Sequence, residues 1–285
     1  MTDPYSVSVI TRTCNRPRML ARAIESVAAQ TWEQKQLVVV NDGGESVEDI
    51  VAPYRDRMDV VLLEFSPEEK PGRCLAQVRG IEAASGSWIA YLDDDDFWFP
   101  DHLQTLMEAA KETGAKVLYT DANKAIEEPD ENGNYVVTRV EPGPSEDFSR
   151  AGFYLGCYIH LSTFCHHRTV FDEHGGFDPE LPVLEDLDLF YRYAFDYVFH
   201  HIKKVTAQFS VRTDYTNAIT SMRREFVETN EMLAKRYLHM AVGDMMVMLV
   251  RGRDQINGLY NMVTALSSRV EELERRIADL EKNES

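Results

Sequence analysis

Cysteine is scarce in this 285-residue chain, and the four present, Cys14, Cys74, Cys157 and Cys165, form no CxxC pair. That excludes a disulfide scaffold. The spacing of His160, His166, His167, His174, His200 and His201 around two of these thiols matches no familiar zinc module. Basic residues are also few: 30 Lys+Arg face 48 Asp+Glu, a formal net charge of −18. A protein that grips nucleic-acid phosphates needs the opposite balance, so no nucleic acid is expected as a partner. No uncharged apolar run reaches the ~18 residues of a membrane span; Met240 to Val250 comes nearest and is broken by Asp244. The first residues, MTDPYSVSVI, lack the basic-then-apolar layout of a secretory signal. These absences predict a cytoplasmic protein. The 44% hydrophobic content is enough for a sizeable core, over a length worth one to two domains at about 150 residues each.

The first hundred residues alternate strand and helix signals. SVSVI (6–10), LVVV (37–40), VVLLEF (60–65) and WIAYLDDDD (88–96) read as strands, the last running into acid. Between them, apolar residues at helical spacing predict helices over Met19–Ala29, Val47–Tyr54 and Arg73–Ala84. Such alternation predicts an α/β fold built on a mostly parallel sheet flanked by helices. Ligands of such sheets bind at the carboxyl ends of the strands, where Asp42 and Asp93–Asp96 fall. VLYTDA (117–122) continues the pattern, Asn132-Gly133 suits a hairpin turn with YVVTRV as one arm, and AQFSVR (207–212) reads as a late strand.

The acidic run asks for a counter-charge. In an extended strand Asp93 and Asp95 share one face and Asp94 and Asp96 the other. Like-facing carboxylates ~7 Å apart repel by roughly 2 kcal/mol at an effective dielectric of about 20. A divalent cation relieves that repulsion, and an all-oxygen site selects Mg²⁺ or Mn²⁺. Such an ion would bridge an acidic protein to an anionic phosphate ligand. A solvated acidic loop is the plainer alternative.

The last thirty residues carry a heptad. Ile256, Val263, Val270 and Ile277 alternate with Leu259, Leu266, Leu273 and Leu280, a β-branched a and leucine d seam. That choice favours a parallel two-stranded coiled coil, with a trimer as the alternative. We therefore expect a catalytic domain over 1–214, a helical extension over 215–253 and a coiled-coil oligomerisation segment over 254–285. The Met- and Arg-containing stretch 222–253 suits a cover for the first domain, or a peripheral surface for a membrane-borne acceptor or partner enzyme. The charged sequence up to Ser285 suggests that the natural chain continues.

Four blocks in order, SVSVITRTCNRPRMLARAIESVAAQT, QLVVVNDGG, GSWIAYLDDDDFWFPDHL and GGFDPELPVLEDLDLFYR, together resemble a family 2 glycosyltransferase of the A-type nucleotide-sugar fold. The resemblance implies transfer of a sugar, usually with inversion, from a nucleoside diphosphate to a hydroxyl of a glycan or lipid-linked acceptor. By the same resemblance, Thr11, Thr13, Asn15 and Asp42 surround the nucleoside, Arg73 meets the nucleotide, and Asp93 and Asp94 take part in holding it. The DxD signature falls on Asp93 and Asp95, implying Asp95 as the direct ligand of Mn²⁺ or Mg²⁺ with Asp93 beside it. Asp186 is the implied general base and Glu185 its neighbour. Where relatives carry a late histidine near the metal, this chain reads Arg212-Thr213-Asp214. Two other readings compete. A nucleotidyltransferase would want a glycine-rich loop after the first strand, which TRTCNRP lacks; a non-catalytic coiled-coil scaffold would not need Asp42, Asp95 and Asp186.

Overall fold

The computed structural model describes residues 3–131, 134–214, 222–251 and 263–275. The alternating half runs β1 (Val7–Thr13), α1 (Pro17–Ala28), β2 (Lys35–Asn41), α2 (Glu48–Val51, continued to Tyr54 by a 3-10 turn), β3 (Asp59–Glu64), α3 (Arg73–Ala83) and β4 (Trp88–Tyr91). The second half is less regular: β5 (Phe97–Trp98), α4 (His102–Thr113), β6 (Val117–Pro129), β7 (Tyr135–Pro142), α5 (Arg150–Leu155), β8 (Phe164–His167), α6 (Arg168–His174), α7 (Glu185–Asp196), β9 (His200–Arg212) and α8 (Arg223–Arg251).

The strands form one sheet in the order β3-β2-β1-β4-β8-β6-β9-β5, with β7 paired to β6. The continuous apolar runs of the early strands follow from burial on both faces. Val7, Val9, Leu37, Val39, Trp88 and Ala90 face one core with Leu20, Ala23, Ile24 and Val27 of α1. Ile10, Val38, Val40, Ile89 and Tyr91 face the other core, with residues of α3, α5, α7 and α8. Pro17 at the first position of α1 fixes a helical φ where no amide donor is needed. Gly80 of α3 is the close-packing point on the opposite face: a Cβ there would meet Ile10 Cγ2 at 2.6 Å.

The expectation of a mostly parallel sheet holds only for the first half. β3-β2-β1-β4 is parallel throughout, as is β6-β9, but β8 runs antiparallel between β4 and β6, and β5 and β7 are antiparallel to their partners. Parallel neighbours require a crossover of a dozen or more residues. After residue 100 a hairpin joins β6 to β7, and β8 enters between β4 and β6. The arms of that hairpin pair as expected, while its turn at 132–133 lies outside the described residues.

The order of strands reverses at β1, which has β2 on one side and β4 on the other. That reversal opens a crevice at the carboxyl ends of these strands. α8 closes the opposite core with Leu233, fully buried, and Tyr237. Of the heptad, Ile256, Leu259, Ile277 and Leu280 lie outside the described residues. The stretch 263–275 is helical; within it Val263 and Val270 are exposed and Leu273 is buried against its own chain.

Candidate active site

The crevice is organised by an acidic turn rather than an acidic strand. β4 ends at Tyr91, and Asp96 N donates to Asp93 O at 3.0 Å to close a turn over the four aspartates. The two-by-two alternation expected for Asp93 to Asp96 is therefore incorrect. Extended backbone would have paired Asp93 with Asp95 and Asp94 with Asp96, whereas the turn groups Asp93, Asp95 and Asp96 and turns Asp94 toward the β1 loop. Asp94 points back to the β1 loop, accepting from Thr13 Oγ1 at 2.7 Å and Arg16 Nη1 at 3.0 Å. Asp95 Oδ2 faces Arg212 Nη2 at 2.9 Å and Arg16 Nη1 at 3.5 Å. Asp96 accepts from Ser162 Oγ at 2.6 Å and from the Ser210 amide at 3.0 Å.

Asp93, Asp95 and Asp96 each offer an oxygen within 4.8 Å of the others. Burial, then the charges of Asp95 and Asp93, push the Asp96 carboxyl well above the usual range. Burial, then Asp95, raises Asp94 as well. Three hard oxygen donors converging on one point, with one of them strained toward protonation, fit a divalent cation of the Mg²⁺ or Mn²⁺ type. Asp96 thus joins Asp95 and Asp93 in the candidate metal set. Asp214 lies elsewhere, receiving the Tyr135 hydroxyl, and it is Arg212 that reaches Asp95.

A second acidic pair reaches the crevice from α7. Leu184, at a φ of 60°, turns the chain sharply into the helix, a left-handed conformation rare for a bulky residue and common where a site fixes geometry. Glu185 is buried and paired with Arg73 Nε at 2.7 Å, at the first residue of α3. Asp186 Oδ1 accepts from the Leu187 amide at 2.8 Å. Burial, then the Glu185 charge, pushes the Asp186 carboxyl up to about 7, with Arg73 and the Leu187 amide pulling it down and Asp93 adding to the rise. Arg73 feels Glu185, Asp93 and Asp186 together. A carboxylate half-ionised near neutral pH is suited to taking a proton.

The helix bearing this pair is anchored by Asp188. Its buried carboxylate accepts from Arg192 Nε at 2.9 Å, Arg236 Nη1 at 3.1 Å and the Tyr237 hydroxyl at 2.7 Å, tying α7 to α8. In the sequence Asp188 looks like an ordinary acidic residue of a first helical turn. Its α8 partners, almost fifty residues away in the chain, give no local signal.

The residues expected around the nucleoside lie at the carboxyl ends of β1 and β2, with Thr11, Thr13 and Asp42 buried. Asp42 N donates to Thr13 O, and Asp42 Oδ1 accepts from the Gly72 amide at 2.9 Å, joining the end of β2 to the start of α3. Asn15, at φ 55°, accepts from the Glu45 amide at 2.9 Å. Thr11 is fully buried and its Oγ1 has no hydrogen-bond partner. Sequence reasoning missed Arg16, Arg22, Ser162 and Ser210; Arg22 donates to the Asp95 carbonyl and to Glu127 Oε1. Of the histidines, His166 is a core residue bonded to the Tyr91 hydroxyl, while His160 stands 3.6 Å from Asp96. Trp98 is packed on His102 with its Nε1 donating to Ser162 O.

A model of the family described as "Glycosyl transferase family 2" matches residues 8–175. The uncharacterized glycosyltransferase YwdF of Bacillus subtilis is 29% identical over 191 residues, covering 67% of this chain and 69% of YwdF. The putative teichuronic acid biosynthesis glycosyltransferase TuaG of the same organism is 30% identical over 118 residues, 40% of this chain and 45% of TuaG. Among solved structures, S. aureus TarS 1–349 in complex with UDP-GlcNAc superposes with a TM-score of 0.60 at 17% identity, covering 73% of this chain and 59% of that one. At that identity the likeness speaks to the fold, which is shared. The chain thus spans about 60% of the TarS fragment. No described helix is long and apolar enough to cross a membrane.

Proposed function

This chain belongs to glycosyl transferase family 2, and from that membership we propose that it transfers a sugar, with inversion, from a nucleoside diphosphate to a hydroxyl of a glycan or lipid-linked acceptor in surface polysaccharide synthesis. The observation that carries the reading is the set of Asp93, Asp95 and Asp96 oxygens within 4.8 Å of one another, beside which Arg73, paired with Glu185 at 2.7 Å, feels the charges of Asp93 and Asp186 together.

Thr13, Asn15 and Asp42 hold the nucleoside, with Thr11 buried behind them and Asp94 fixing the β1 loop through Thr13. Mn²⁺ or Mg²⁺ bound by Asp95 with Asp93 and Asp96 would neutralise the departing diphosphate. Arg73 pairs with Glu185 beside Asp186, and Asp186 takes the acceptor proton as the hydroxyl attacks from the face opposite the leaving group. The UDP and UDP-GlcNAc complexes of TarS make uridine nucleotides the first donors to try. The exposed Val263 and Val270 support a self-association role for 254–285, which sedimentation of the full chain tests directly.

The decisive measurement is thermal stabilisation by a panel of nucleotide sugars with and without Mn²⁺. A rise in Tm for at least one donor, dependent on Mn²⁺ and abolished by Asp95→Ala, is expected. A panel that leaves Tm unmoved in both conditions overturns the proposal. Donor hydrolysis that survives in the wild type and is lost in Asp186→Asn separates an enzyme from a scaffold.

A further inference from the structure

Beside the acidic turn, on its α1 side, lies a cavity of about 500 Å³. Its wall carries four arginines, Arg16, Arg18, Arg22 and Arg212, with Tyr135 and a single acid, Glu127. In a chain of net charge −18 this concentration of cations is an exception. The guanidiniums are held in place. Arg212 is pinned between Asp95 at 2.9 Å and the Tyr135 ring, whose centroid is 5.4 Å from its Cζ. Arg16 is fixed by Asp94 and Arg22 by Glu127 at 2.9 Å. Arg18, in the exposed first turn of α1, makes no ion pair with any described residue.

Two further observations point to a ligand. Glu127 is fully buried, yet its Oε2 has no hydrogen-bond partner, and neither has Arg22 Nε. Leaving such groups unpaired is costly, so a molecule that supplies both a donor and an acceptor gains by binding there. The N-terminus of α1 opens on the same cavity with no side-chain cap, adding partial positive charge.

We propose that this cavity is an anion subsite that holds a phosphate or carboxylate carried by a hydroxylated ligand, such as a sugar or polyol. Arginine forks match planar or tetrahedral oxyanions, and Glu127 Oε2 takes a ligand hydroxyl. The subsite extends the transfer reading, on which its place in the substrate rests. The anion belongs either to the acceptor or to the donor sugar, since both pass the adjoining Asp95.

Calorimetry on the full chain, with Mn²⁺ and saturating UDP filling the diphosphate position, tests the proposal using inorganic phosphate and glucuronate as probes and glucose as the neutral control. Both anions bind and glucose does not; Arg18→Glu, a surface change that leaves the fold intact by circular dichroism, weakens them by about tenfold or more. If the anion is donor-borne, UDP-glucuronate binds more tightly than UDP-glucose in the wild type and loses that advantage in Arg18→Glu; if acceptor-borne, the two donors bind alike and the free anions still bind. Anions that fail to bind, that UDP displaces, or that bind Arg18→Glu unchanged overturn the subsite. Stabilisation by nucleotide sugars with no anion binding defeats the subsite alone. Anion binding with no nucleotide effect defeats the transfer reading alone.

Discussion

Replacing Asp186 by Asn should make the protein more stable and far less active, and both effects should depend on pH. The carboxyl moves from an ordinary 3.8 to about 7 in the folded chain, chiefly because it is buried, and then because Glu185 is charged beside it. Between those values the native state holds a proton that the unfolded chain releases, so stability from this group falls as pH rises through the window and is flat above it. At 1.36 kcal/mol per pH unit, the ceiling on the cost above pH 7 is about 4 kcal/mol. Asn keeps the oxygen that accepts from Leu187 and cannot ionise. Chemical denaturation should therefore find wild type and Asp186→Asn alike below pH 4, with the variant ahead by roughly 1–4 kcal/mol at pH 8. Wild-type donor turnover should climb from about a tenth to about nine-tenths of its maximum between pH 6 and 8, as the Glu185-Asp186 pair gives up its proton. The variant should lose about 10²- to 10⁴-fold in rate and the pH limb with it. A variant equally stabilised at pH 3.5 and 8, or one retaining more than a tenth of the wild-type rate, would refute the assignment.

Three further outcomes follow from the packing. Arg73→Ala removes the cation that holds Asp186 down, so the activity limb should move to higher pH and turnover at pH 7 should fall several-fold while recovering at pH 9. Asp188→Asn leaves the partly exposed Arg192 and the exposed Arg236 facing a neutral amide. It should lower stability by about 1–2 kcal/mol, read as a reduced denaturation midpoint. Gly80→Ala would push a methyl to 2.6 Å from Ile10 Cγ2, and the overpacking should cost about 1–3 kcal/mol despite alanine's better helix propensity.

What the sequence determined by itself is whatever depends on neighbours along the chain. The unbroken apolar runs 37–40 and 88–92 announce strands covered on both faces, and the 3.6-residue spacing of Leu20, Ala23, Ile24 and Val27 announces the helix that covers one of them. Those elements and their order fix where the crevice opens, so strand ends alone point to Asp42 and the Asp93–Asp96 run, and the resemblance narrows the run to Asp93 and Asp95. Asp186 and Glu185 are pointed to only by the ordered set of blocks, because a local acidic pair at a helix start has an ordinary electrostatic explanation. Tertiary structure decided the rest. It bent Asp93–Asp96 into a turn that brings oxygens of Asp93, Asp95 and Asp96 within 4.8 Å of one another, with Arg16, Arg212, Ser162 and Ser210 as partners from distant elements. It also ran β8 antiparallel into the sheet, brought Arg212 to Asp95 across more than a hundred residues, and gathered four arginines around one cavity. Coulomb attraction and burial act through space, and a pattern read along a chain does not carry the distances on which they depend.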